Sequence, residues 1–380
     1  MMTTQIWQSR FDELHRRAAE QAGLSDFGDT GYHEGLRILL ESLDEEGIAG
    51  RKAAVAEAVI LATLVARLQT ESQWRAHSDY RTRTIATPVI VIGVPRTGTT
   101  ALHNLLSQDP QFQGIEKLIC DAPLVRPPRK AWSNHPQYQA SVAMVEQMTA
   151  IAPQAMIAHG IQPDDVDECL LPMAQSFCSN TFPSQFDLPL YDRWLMAADE
   201  TPSYSRYKDV LRLVGLNDDR RWLLKNPSHV FGIDALLAVF PDACVVQTHR
   251  HPAASLASLA SLLDSLMTGL TGESIDRERR LRREAAFWAE GVRRTMAAQD
   301  RYPDRFVNVL QKDIRSDPLG VVRAIYTKFG LTLSAEAEAA MGGWAESSKE
   351  GGSEGHSYGK IRHDSSLLEA FASYIQRYDL

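Results

Sequence analysis

One junction constrains this chain more than any other feature. Four apolar residues in a row, Val89-Ile90-Val91-Ile92, run into the turn Gly93-Val94-Pro95-Arg96-Thr97-Gly98-Thr99-Thr100, and an apolar helical pattern follows over residues 101–106. An unbroken β-branched run suits a strand buried on both faces, as in a parallel sheet. The turn has two glycines five positions apart, followed by two hydroxyl residues. Such a loop points backbone N–H groups inward, and the helix behind it adds partial positive charge, so a phosphate is the natural guest. A nucleoside triphosphatase places lysine directly after the second glycine, to reach the β- and γ-phosphates. Here that position is Thr99, and the loop's cation is Arg96. The loop therefore suits a 5′-phosphate and its attached leaving group, without the lysine and Mg²⁺ apparatus.

The rest of the chain supplies a frame for that loop. Further strands are expected at residues 222–225, 243–248 and 306–310, each beside a helical segment. Alternation of this kind implies right-handed crossovers and a parallel sheet. Residues 1–86 read as helical: Trp7, Phe11, Leu14 and Ala18 recur at helical spacing, as do Ile60, Leu61, Leu64, Val65 and Leu68. Residues 120–207, rich in Pro, Met and aromatics, read as a cap of helices and loops over the sheet. The expected fold is thus α/β: a P-loop-type parallel sheet flanked by helices over residues 87–380, with the 120–207 cap inserted and an N-terminal helical segment over 1–86.

Composition excludes some functions. A formal net charge of −8 argues against a nucleic-acid partner, whose binding surface is usually basic. The four cysteines have neither paired nor zinc-ligand spacing, so they read as buried, reduced thiols in a cytoplasmic protein, and no metal site is expected. The N-terminal residues are polar and do not read as a signal peptide. The most apolar stretch, residues 53–68, is short for a membrane span and contains Glu57 and Arg67, so it reads as a buried helix with no stable membrane insertion.

A second anion site is written downstream. Residues 245–250 read as a strand ending in Arg250; His251-Pro252 opens a helix, and Ser258 follows two helical turns on. Arginine at a strand end and a serine hydroxyl so placed can converge on one anion.

With both motifs in hand, the chain resembles the PAPS-dependent sulfotransferases, in the bacterial branch whose phosphate loop carries Arg in place of Lys. The resemblance runs from about Pro88 onward. It implies that Pro95, Arg96, Thr97, Gly98, Thr99 and Thr100 hold the 5′-phosphosulfate of PAPS (3′-phosphoadenosine 5′-phosphosulfate), and that Arg250 and Ser258 hold its 3′-phosphate. The segment from Trp222 to His229 resembles the family's W-x-L-K-S-P-x-H, with Asn226 in place of Ser. Val309 to Asp313 with Asp317-Pro318 resembles Y-E-D…D-P, and His356 to Lys360 resembles a late H-x-Y segment that departs at Ser357. By the same resemblance Lys360 and Arg362 are candidates to bring positive charge to the 3′-phosphate.

Sulfuryl transfer demands alignment and neutralisation of the charge that builds on the bridging oxygen. Arg96 and Lys225 are the candidate cations, the latter at the C-terminal end of an expected strand, where open α/β sheets place ligands. The acceptor needs a general base. Two candidates stand side by side: Glu116, which falls where Arg-type relatives carry a catalytic Glu, and His229. The acidic cluster Asp164, Asp165, Asp167 and Glu168 reads as a solvated helix start. The expected acceptor is a small molecule, lipid or glycolipid carrying a hydroxyl or amine, and a homodimer is compatible with this reading. The alternatives are a kinase-like phosphotransferase, for which Asp313 is the candidate Mg²⁺ ligand, and an inactive module that binds PAP, the desulfated nucleotide.

Overall fold

The structure is a computed structural model, and it describes residues 6–153, 156, 162–350 and 365–380. The run starting at Val89 forms β1 (Val89–Gly93), and all five of its residues are buried. The other strands are β2 (Phe112–Gln113), β3 (Arg221–Lys225), β4 (Cys244–His249) and β5 (Phe306–Leu310). They form one sheet of order β2-β3-β1-β4-β5, with every pair parallel. The strands expected from sequence are all present. The two-residue strand β2 was not expected, because so short a stretch carries no periodicity to read.

Strand alternation sends Val89, Val91, Leu223, Cys244, Val246 and Val309 to one face. There they pack with Leu102, Leu105 and Leu106 of helix Thr99–Leu106 and with Val322 and Ile325 of helix Pro318–Phe329. Each such fully buried aliphatic side chain contributes about 1.5–3 kcal/mol.

The topology decides where a ligand can enter. The connection leaving β1 leads toward β3 and β2, whereas the one leaving β4 leads to β5 on the other side. Two adjacent strands whose connections diverge leave a crevice at their C-terminal ends, which is the ligand site of open α/β sheets. Here that crevice lies between Gly93 and Thr248, which are register partners.

The chain divides into two compact units, described separately. One holds the sheet: Ile85–Gly114, Arg220–Leu262 and Asp276–Leu380. The other comprises Met1–Thr84, Ile115–Asp219 and Leu263–Ile275. Residues 1–86 and 120–207, expected as separate N-terminal and cap regions, thus fall almost wholly in one unit. The reason is a set of long-range bonds from helix Gly50–Ala76. Arg67 donates to the carbonyls of Phe27, Asp29 and Gln175, and Glu71 pairs with Arg206 at 2.6 Å. By length and apolar content this helix and Pro252–Thr271 could each cross a bilayer. In the fold, Gly50–Ala76 instead buries Ile60, Leu64 and Leu68 together with the charged Arg67.

The aromatic residues of the cap go mostly to this unit's own core. Trp132, Phe177, Phe182 and Phe186 are buried, and the Phe177 and Phe182 rings stack at 5.3 Å. The acidic residues 164–168 do not begin a helix. They lie in a turn where Val166 forms an antiparallel bridge with Glu116, and the Asp165 carbonyl accepts from the Lys117 N–H.

Candidate active site

The loop over residues 93–100 is shaped by backbone conformations that few residues tolerate. Gly93 has φ +146° and Gly98 has φ +97°, both favouring glycine. A Cβ on Gly93 would lie 2.6 Å from Thr248 Oγ1, 2.7 Å from the Thr248 carbonyl oxygen and 3.0 Å from Thr97 Oγ1. Backbone cannot retreat as a flexible side chain can. Gly93→Ala is therefore expected to cost roughly 2–5 kcal/mol in unfolding free energy and to abolish nucleotide binding. A urea titration with and without nucleotide checks both; a midpoint equal to wild type would show that the loop does not depend on this close approach.

Arg96 is itself left-handed, with φ +71°. Two bonds accompany that conformation: its Nε donates to Ser258 Oγ at 3.0 Å, and its carbonyl accepts from Arg250 Nη1 at 3.2 Å. Arg96 thus contacts both Arg250, just past the end of β4, and Ser258 in helix Pro252–Thr271, residues expected at a separate anion site. The Arg96 guanidinium turns toward Ser258, on the side expected for the 3′-phosphate.

The loop threonines divide their work. Thr97 is fully buried; its hydroxyl donates to the Val94 carbonyl at 2.7 Å and lies 2.5 Å from Thr248 Oγ1. That hydroxyl ties the loop to β4. Thr99 is buried at the start of helix Thr99–Leu106. Thr100 Oγ1 accepts from Lys225 Nζ at 3.3 Å. Lys225 is 2% exposed at the C-terminal end of β3. Burying an ammonium is costly unless a charge or polar group meets it, and this one reaches the loop over residues 93–100. Asn226 and His229 follow in a tight turn, both buried, with the His229 N–H donating to the Asn226 carbonyl at 3.2 Å.

His249, the last residue of β4, is 1% exposed. Its Nδ1 lies 3.0 Å from Tyr374 Oη and its Nε2 2.9 Å from Asn308 Oδ1, and its ring stacks on Tyr378 at 3.8 Å. Burial pushes its pKa down to about 4, against a partial offset from the Asn308 bond, so the ring is neutral at ordinary pH.

Glu116 belongs to the other unit. Its backbone caps helix Lys117–Asp121, and its carboxylate is buried. Arg126, an arginine that sequence reasoning missed, donates from Nε to Glu116 Oε2 at 3.1 Å and from Nη1 to Asp218 Oδ2 at 2.9 Å. One guanidinium fork serves two carboxylates, and both partners of the Glu116 pair are about one-tenth exposed or less. Nothing local in the sequence marks this trio; it depends on a chain return from Arg126 to Asp218. The expected Lys360 and Arg362, with the His356–Tyr358 segment, lie outside the described residues. Asp313 sits in helix Gln311–Ser316, past the end of β5.

Residues 88–335 match the model of the sulfotransferase family. Among curated proteins, the ω-hydroxy-β-dihydromenaquinone-9 sulfotransferases Stf3 of Mycobacterium bovis and Mycobacterium tuberculosis are each 26% identical over 255 residues, 64% of this chain. The match spans 63% of the length of those relatives. Among solved structures, sulfotransferase STF1 of Mycobacterium tuberculosis superposes with a TM-score of 0.85 at 36% identity, covering 96% of this chain and 98% of that one. Sulfotransferase STF9 of Mycobacterium avium superposes at 0.83 with 26% identity, covering 97% of both.

Proposed function

The chain belongs to the sulfotransferase family, and from that premise we propose that it moves a sulfuryl group from PAPS to a hydroxyl on an apolar, lipid-like acceptor. The observation that carries the donor assignment is the direct contact of Arg250 and Ser258 with Arg96 at the crevice between β1 and β4. Two guanidiniums and a hydroxyl gathered there suit a nucleotide with a phosphate at each end of its ribose, and Thr99 stands where a triphosphate-cleaving loop needs lysine.

The residues then have distinct tasks. Backbone N–H groups of residues 97–100 bind the 5′-phosphate. Arg250 and Ser258 take the 3′-phosphate. Lys225 and Arg96 neutralise charge on the oxygen that bridges phosphorus and sulfur. As the acceptor oxygen bonds to sulfur, the bond from sulfur to the bridging oxygen breaks, and the acceptor proton passes to a base, for which Glu116 and His229 are the two candidates. The products are PAP and a sulfate ester.

The acceptor class rests on the Stf3 relatives, named for a menaquinone bearing a terminal hydroxyl. The cap's aromatics lend it little support, since most are committed to the core. As part of the same proposal, the four buried thiols fit a cytoplasmic location.

Melting the protein with PAP and with ATP–Mg²⁺ tests the donor. At 100 times its dissociation constant PAP should add about 2.7 kcal/mol of stability, and ATP–Mg²⁺ should add almost none. Stabilisation by ATP–Mg²⁺ alone would favour a phosphotransferase. PAP binding with no sulfate transferred to any hydroxylated lipid would favour an inactive binding module.

A further inference from the structure

The strand end leading to the arginine expected to grip the 3′-phosphate is held by a remote part of the chain. Helix Ala372–Tyr378 packs on the same unit as the sheet, and its Tyr374 is 1% exposed. The Tyr374 hydroxyl meets His249 Nδ1 at 3.0 Å, on the residue directly before Arg250.

With Asn308 Oδ1 facing the ring, one tautomer satisfies the cluster. Asn308 presents Oδ1, an acceptor, to His249 Nε2, so Nε2 carries the ring proton. Nδ1 is then bare and accepts from the Tyr374 O–H. Every donor in this set has an acceptor, provided the ring stays neutral, as its burial requires. The helix is anchored in turn to helix Arg277–Arg301: Arg377 Nη2 reaches Asp300 at 2.7 Å, and Tyr378 Oη reaches Gln299 at 2.8 Å. Tyr378 also stacks on the His249 ring.

We propose that helix Ala372–Tyr378 is a positioning element for the nucleotide, with the Tyr374 hydroxyl fixing the His249 ring and so the strand end that carries Arg250, whose guanidinium meets the Arg96 loop and, through it, the 3′-phosphate. The proposal rests on the reading of Arg250 as the 3′-phosphate partner. Tyr374 touches no substrate and acts only through the strand end that carries Arg250. Its effect should therefore fall on ligands that carry a 3′-phosphate and spare those that lack one. A tyrosine that merely packed the helix would not discriminate between them.

The test compares binding of PAP and of AMP, which lacks the 3′-phosphate, by calorimetry on the full chain. Tyr374→Phe keeps the ring and removes the hydroxyl. It should weaken PAP by about tenfold, the effect of one buried hydrogen bond, and leave AMP within about twofold. Asn308→Ala, at an exposed position, removes the acceptor that orients His249 and should shift PAP in the same direction by less; it stands in should Tyr374→Phe fold poorly. Equal weakening of PAP and AMP, or no change in either, would overturn the positioning role. Arg250→Ala serves as the reference. If it leaves the preference for PAP over AMP intact, the 3′-phosphate reading itself is wrong and the proposal falls with it. If it erases that preference while Tyr374→Phe does not touch it, only the positioning role is lost.

Discussion

Glu116→Gln is expected to lower kcat by about 10²- to 10⁴-fold while PAP affinity stays within about twofold, the size of a lost general base. The amide is nearly isosteric and can still accept from Arg126 Nε through its oxygen, so the local structure around the 3.1 Å contact should survive. It cannot take a proton from the acceptor. The carboxylate is well suited to the role because it is held at both ends. Its backbone is fixed by the bridge to Val166 and by the start of helix Lys117–Asp121, and its side chain by a guanidinium that Asp218 also braces. A freely rotating surface glutamate would have neither restraint. Single-turnover rates with saturating donor separate chemistry from binding. A near-wild-type rate for Glu116→Gln, together with a collapse for His229→Gln, would move the base to His229.

The second large effect concerns stability. Arg67→Met should cost about 3–5 kcal/mol, the penalty for breaking a buried, fully bonded charge network, out of a total that for most domains is only about 5–15 kcal/mol. Arg67 is 1% exposed and lies among the buried apolar residues Ile60, Leu64 and Leu68 of helix Gly50–Ala76. Its Nε donates to the Phe27 carbonyl at 2.6 Å, Nη1 to the Gln175 carbonyl at 3.1 Å and Nη2 to the Asp29 carbonyl at 2.8 Å, with the guanidinium 4.1 Å from the centre of the Tyr32 ring. Burial pulls its pKa down to about 10, which still leaves it charged at neutral pH. Methionine matches the volume but orphans three carbonyls, each of which then carries a desolvation cost. Arg67→Lys should rescue little, because one ammonium cannot span three directions set by a planar fork. Urea unfolding of both variants measures this. A loss below about 1 kcal/mol for Arg67→Met would mean that the turn at residues 24–32 is held by other contacts, such as the Arg206–Glu71 pair.

The local structure around the candidate site was legible to different degrees, for reasons that differ by residue. Thr99 and the spacing of Gly93 and Gly98 speak through local backbone geometry, since left-handed φ and inward N–H groups need no distant partner. The strand over residues 244–249 and the helix from Pro252 that carries Ser258 were legible because a β-branched run and a proline at the helix start are local signals. Thr97 was only half legible. Its hydroxyl goes to Val94 and Thr248, a role visible only once β1 and β4 lie side by side. Arg126 and Tyr374 were illegible, since each earns its place through a partner that no local pattern announces.

By itself, then, the sequence determined the strand–loop–helix unit, the parallel sheet, and the threonine that stands where a triphosphate loop carries lysine. These follow from side-chain period and from backbone angles, which act over a few residues. The tertiary structure alone decided that Arg250 would meet Arg96 across 154 positions, that Tyr374 would meet His249 across 125, and that one arginine would join Glu116 to Asp218. Closing loops of that length is governed by which whole surfaces bury together, and no short window of residues contains that information.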